Sequence, residues 1–221
     1  RAALAAEALG SLLLAAAVVG SGIMGEQLAG GNLAIALLAN TIATVAALAT
    51  LIAVLGPVSG AHFNPVISLL EMTRGRLPLP LALNYIVVQI VGCCAGAILA
   101  NAMFELPLVQ ASAHMRAGGA QWLSEAVATA GLVLVARGSP SLHAAAWRVP
   151  AWIGAAYWFT ASTSFANPAI TLGRSLTDTF AGIRPVDVPG FMVAQLVGGL
   201  IGILVARTLF RDQPAASGQS G

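Results

Sequence analysis

Apolar residues run through this chain in blocks with no charge in them: 18 residues from Ala8 to Gly25, 44 from Gln27 to Leu70, 28 from Leu77 to Phe104, 25 from Val149 to Gly173 and 19 from Val188 to Ala206. A helix needs about 20 residues to cross roughly 30 Å of hydrocarbon. A sixth apolar stretch, about Gln121 to Val135, holds one interior acid, Glu125, and ends at Arg137, Gly138 and Pro140. The pattern predicts six spans. The 44-residue block is too long for one of them and is punctuated by Gly56, Pro57, Ser59 and Gly60, then by Asn64-Pro65. After the fifth span, Ser162, Thr163 and Ser164 precede Asn167-Pro168 in the same way. Asparagine is a favoured N-cap and proline a favoured first helical residue. Two short half-helices are therefore expected, one stopping near Arg74-Gly75 and one near Thr177.

Composition agrees with a chain surrounded by lipid. Of 221 residues 58% are hydrophobic and 8% charged, with ten arginines, eight acids and no lysine, where soluble domains carry about 25% charge. A soluble or disordered protein is excluded, and no arginine patch is suited to nucleic acid. Cys93 and Cys94 are neighbours in an apolar run and read as small hydrophobes. No metal-ligand spacing and no pairing of nucleophile with base appears, so neither a cofactor nor an enzyme is expected. The first block lacks the basic leader of a signal peptide. With six spans both termini share a side; seven arginines (1, 74, 76, 137, 148, 207, 211) fall there and three (116, 174, 184) opposite, which predicts cytoplasmic termini. The four tryptophans are expected as interfacial anchors.

The chain reads as one unit written twice. Glu7 and Ser11 answer to Glu125 and Thr129; Phe63-Asn64-Pro65-Val66 to Ala166-Asn167-Pro168-Ala169; Gln89, Gly92 and Gly96 to Gln195, Gly198 and Gly202. The expected organisation is a first repeat over 1–104, a connecting loop over 105–120, a second repeat over 121–210 and a disordered cytoplasmic tail over 211–221. Three spans per repeat make the second copy inverted, and the midplane of such repeats is where sites sit. The Gly-x-x-x-Gly pairs let the third and sixth spans approach other helices closely. Both half-helix N-termini meet near the centre, where their positive ends repel cations. Each asparagine, capping its own helix with its carbonyl, keeps an amide donor for a solute oxygen. An ion-coupled transporter shares inverted repeats and broken helices, yet only two symmetric glutamates are available for coupling.

The motifs Ser59-Gly60-Ala61-His62-Phe63-Asn64-Pro65-Val66 and Ser164-Phe165-Ala166-Asn167-Pro168-Ala169 resemble those of the aquaporin and glycerol-facilitator family. The resemblance runs from Glu7 to about Arg207. It implies an all-α integral membrane fold, a right-handed aquaporin-like bundle of six spans plus two half-helices, assembled as a homotetramer with one pore per protomer. It implies a central constriction of Asn64, Pro65, Val66, Asn167, Pro168 and Ala169, with His62 lining the pore and Glu7 and Glu125 supporting the two loops. Carried over by offset, the selectivity filter is Thr44, Ala155, Ser164 and Ile170. The family places arginine where this chain has Ile170, and usually alanine where it has Val66. A wide, uncharged constriction is expected, with Arg174 facing a loop. An aliphatic filter followed by Thr171-Leu172-Gly173-Arg174-Ser175 is similar to the bacterial subgroup associated with arsenic resistance. The resemblance implies passive passage of arsenite, methylated arsenicals and polyols across the bacterial inner membrane. A glycerol or urea facilitator, or a water channel, is the alternative.

Overall fold

A computed structural model describes residues 1–210; the expected disordered tail over 211–221 lies outside the described residues. The regular structure of the described chain is all helical, with α1 (Ala2–Leu28), α2 (Leu33–Ser59), α3 (Pro65–Thr73), α4 (Leu79–Met103), α5 (Gly119–Arg137), α6 (Leu142–Phe159), α7 (Pro168–Arg174) and α8 (Val188–Leu209), the last entered through a 3₁₀ turn at Pro185–Asp187. Six helices are long and two, α3 and α7, are short. Five of the long ones are apolar enough to cross a membrane, the start of α8 being counted from Pro185. The sixth, α6, is 18 residues long and carries His143 and Arg148 in its first half.

Two boundaries differ from the sequence expectation. Gly56 and Pro57 do not break α2: the helix runs through them to Ser59 and ends at Gly60, whose φ of 87° suits a glycine C-cap. α7 stops at Arg174 rather than near Thr177. The tryptophans also divide. Trp152 donates from Nε1 to the Ala128 carbonyl at 2.9 Å, and Trp158 donates to the Thr41 hydroxyl at 3.2 Å. Those two tie α6 to α5 and α2; Trp152 is half-buried, while Trp158, like Trp122 and Trp147, is exposed.

The bundle is held by two equivalent close crossings, α1 on α4 and α5 on α8. A methyl added at Gly96 would lie 2.2 Å from the Leu12 carbonyl oxygen, and one at Gly198 would lie 2.2 Å from that of Ala126. Only glycine permits that approach. On the outside, Leu79, Leu83, Val87 and Val91 form an exposed apolar stripe along α4, and Val193, Val197, Leu200 and Leu204 one along α8, as a hydrocarbon surround requires.

Candidate functional site

The half-helices begin as their sequences dictate. The side-chain oxygen of Asn64 accepts from the backbone N–H of Val66 at 2.9 Å, and that of Asn167 from Ala169 at 3.0 Å and Ile170 at 3.3 Å. Each amide nitrogen also reaches across the molecule: Asn64 donates to the Ala166 carbonyl and Asn167 to the Phe63 carbonyl, both at 2.8 Å. The two motifs clasp each other reciprocally. An amide has two N–H groups, so one remains for the lumen at each asparagine.

The loops ahead of these caps are strained in matching places. Ala61 and Phe63 in one, Ser164 and Ala166 in the other, hold φ between 47° and 50°, a region that costs a non-glycine residue of the order of 1–3 kcal/mol. A buried glutamate holds each loop there. Glu7 accepts from the N–H of His62 and Phe63, the Ser59 hydroxyl and the Gln89 amide, at 2.7 to 2.9 Å. Glu125 accepts from the N–H of Phe165 and Ala166, the Ser162 hydroxyl and the Gln195 amide, at 2.6 to 2.9 Å. Behind them Gln89 donates to Ser68 and Gln195 to Thr171. Edge contacts of 5.2 Å (His62 on Tyr85) and 5.1 Å (Phe165 on Phe191) complete the correspondence.

A cavity of about 290 Å³ follows the clasp. One mouth is lined by Glu71, Arg74, Arg76 and Ser141, beside His62. The centre is lined by Asn64 and Asn167, flanked by Ile67 and Ile170, and the far end by Thr44, Tyr157, Ser164 and Arg174. The central prolines, with Val66 and Ala169, are buried behind the lining. Ile67 and Ile170 each lie three residues past their asparagine, so the filter position has an aliphatic twin in the other half.

Two expectations are corrected here. Ala155 does not line the cavity but is exposed on the outer surface of the bundle. The lining stripe of α6 is Val149, Ile153 and Tyr157, spaced four apart. At about 100° per residue, Ala155 lies some 200° from both Ile153 and Tyr157, on the opposite face. Tyr157 takes its place, its hydroxyl 3.5 Å from that of Thr44. Arg174 does more than face a loop: its Nε meets the Ala181 carbonyl of the following loop, but the side chain is buried at 3% exposure and also lines the cavity, with its guanidinium carbon 3.4 Å from the centre of the Phe165 ring. The filter end is therefore lined by a tyrosine on its α6 side and by a guanidinium, where a small residue and no charge were expected.

Sequence reasoning missed Tyr157, Ile67, Glu71 and Arg116. The four-residue stripe on α6 would have found Tyr157, and repeating the second motif's offsets in the first half would have found Ile67 and Glu71. Arg116 had no local signal. It sits in the connecting loop, which folds over α7 through backbone bonds from Gln110 to Leu176 and Ser112 to Ser175. Its guanidinium donates to the carbonyls of Gly182, Ser162 and Phe180 and lies 4.9 Å from the Phe165 ring centre. Burial pulls its pKa below the ordinary guanidinium value, opposed by the charge of Glu125.

Two inverted half-helices that meet inside a six-helix bundle and frame a polar-edged cavity define a membrane channel for small solutes. The chain belongs to the major intrinsic protein family, whose model matches residues 1–141. It is 52% identical to aquaglyceroporin AqpS of Rhizobium meliloti over 178 residues, 80% of this chain and 76% of that protein. It is 29% identical to aquaporin Z of Brucella melitensis over 72% of this chain and 77% of that one. The solved aquaglyceroporin of Plasmodium falciparum shares the fold with a TM-score of 0.72 at 19% identity, over 94% of this chain and 95% of that chain. Aquaglyceroporins of this family are channels, not enzymes.

Proposed function

We propose that the protein passes small uncharged polyhydroxylated solutes, arsenite and related metalloid acids together with glycerol, down their gradients across a bacterial inner membrane. The carrying observation is the two-sided constriction. Ile67, Ile170 and the Tyr157 ring offer an apolar wall, while Thr44 and Ser164 offer hydroxyls beside them. The Ser164 hydroxyl is buried without a protein partner, and an unsatisfied polar group of that kind favours a solute that hydrogen-bonds to it. Glycerol matches both walls, with carbon on one side and three hydroxyls on the other. At neutral pH arsenite is the uncharged triol As(OH)3, of similar size and pattern. The aquaglyceroporin relative supports a polyol-conducting reading.

In this reading Asn64 and Asn167 hand the solute through the centre, and Glu7 and Glu125 keep the loops in shape. The working form is a homotetramer with cytoplasmic termini, which places Glu71 at the inner mouth. The exposed apolar stripes suit lipid and neighbouring protomers. Vesicles carrying the protein are expected to take up arsenite and glycerol faster than empty vesicles. Uptake of glycerol alone would remove arsenite from the proposal, and uptake of neither would remove the proposal itself. Rates independent of proton and sodium gradients would exclude the coupled transporter.

A further inference from the structure

We infer that Arg174, one helical turn beyond the filter position, supplies the cation barrier and the charged solute donor that Ile170 cannot. The inference rests on the channel reading above. Arg174 is almost fully buried, yet it lines the cavity together with Ile170, Tyr157 and Ser164. Its Nε donates to the Ala181 carbonyl and its plane lies against Phe165. Neither Nη group has a partner among the described residues, and no described carboxylate lies within ion-pair distance of it. A guanidinium presents five donors and carries its charge at all ordinary pH values. A buried charge without a counter-ion is costly, so its free donors are satisfied by whatever fills the lumen.

Arg116 stands beside this group. It is bonded to three carbonyls around the second loop and lies against the same Phe165 ring, so two guanidinium groups share one aromatic ring. Their summed field opposes any cation in the adjacent lumen. A neutral solute with acceptor oxygens meets instead the Nη donors of Arg174 and the unpartnered hydroxyl of Ser164. Arg116 is a positioning residue for the second loop, because each of its three guanidinium nitrogens donates to a loop carbonyl.

The test compares sodium conductance with glycerol uptake in the same proteoliposomes. The wild type is expected to be sodium-tight. Arg174→Met is expected to raise sodium conductance by about thirtyfold, the change that removing one unit charge a few ångströms from an ion path brings. Arg174→Lys is expected to stay tight, because it restores the charge. Arg116→Met is expected to give a smaller leak as one of the two positive charges is lost, with a raised KM for glycerol as the second loop loses the bonds to its carbonyls. A sodium-tight Arg174→Met protein overturns the inference, as does a wild type that already conducts sodium. If Arg174→Met does not fold, Arg174→Gln, which is shorter and keeps a donor near the position of Nε but not the charge, carries the same comparison. Absence of glycerol uptake by the wild type is the separate failure of the channel reading.

Discussion

The two halves of this channel share a scaffold and differ in what they place on it. Seven positions past Asn64 stands Glu71, and seven past Asn167 stands Arg174; two before them stand His62 and Phe165. Glu71 is ion-paired with Arg74, and Arg76 lies 3.9 Å away. Arg174 lies against an aromatic ring and is ion-paired with no acid among the described residues. The mouth at Glu71 thus holds its arginines in ion pairs with an acid, whereas Arg174 at the other mouth has no ion pair among the described residues. Fold and function part company at the mouths: whatever holds a loop in place is written twice, as are the asparagines and isoleucines at the centre, but the charged groups at the two ends differ.

The scaffold symmetry is broken most severely at the glutamates. Glu7→Ala or Glu125→Ala strands two backbone N–H groups, a serine hydroxyl and a glutamine amide, at about 1–3 kcal/mol for each unsatisfied group. The sum is comparable with the whole stability of a typical domain, so both variants are expected to yield little folded protein in detergent by size-exclusion chromatography. Equal losses in the two halves confirm the shared scaffold, and a folded Glu125→Ala protein beside an unfolded Glu7→Ala one breaks it.

The filter position gives the next largest effect. Ile170→Arg inserts a long charged side chain beside Arg174 and Tyr157. It is expected to cut glycerol and arsenite uptake by roughly tenfold or more, within the range over which pocket shape discriminates solutes, while stopped-flow water flux persists. Ile67→Arg, at the twin position, tests whether the constriction belongs to one half or both. Unchanged solute uptake in Ile170→Arg would remove Ile170 from the filter.

Much of this comparison is legible in the sequence because the scaffold residues lie in short, repeated strings. Asn-Pro caps its own helix, and Glu7 and Glu125 recur at the same place in each first span, so their pairing could be read without coordinates. Arg174 was misread because a charge past the end of a short apolar stretch looks solvated. Its burial depends on the connecting loop, whose residues 110–116 fold over α7 through contacts some 65 residues away in sequence. Ala155 was misplaced because a fixed offset from Asn167 ignores the rotation of α6. Periodicity finds a face, and only packing decides which face points inward.

Packing behind the half-helices offers a finer contrast. Val66 and Leu70 of α3 correspond to the smaller Ala169 and Gly173 of α7, and the opposing residues reverse the sizes: Gly199 on α8 and Cys93 on α4. A methyl at Gly199 would stand 2.6 Å from a Val66 methyl carbon. Gly199→Ala is therefore expected to destabilise by about 1–3 kcal/mol through overpacking, read as a lowered Tm in detergent. Val66→Ala made with it is expected to recover most of that loss. Additive losses in the double variant, where contacting residues should couple by about 0.5–3 kcal/mol, would show that the two sites do not compensate.

The smallest effect sharpens the assignment of the α6 wall. Ala155 is exposed on the bundle surface, so Ala155→Leu adds only an outward apolar group and is expected to leave glycerol uptake unchanged. Tyr157→Phe removes one hydroxyl at a long 3.5 Å contact with Thr44, worth about 1 kcal/mol at most for a neutral pair of that length, and is expected to shift uptake by a few-fold. Tyr157→Ala opens the same wall and is expected to relax discrimination between glycerol and larger polyols. If Ala155→Leu instead blocks uptake while Tyr157→Ala is silent, α6 presents its other face to the lumen. Thr44 would then lack its aromatic neighbour, and the apolar wall would rest on the two isoleucines alone.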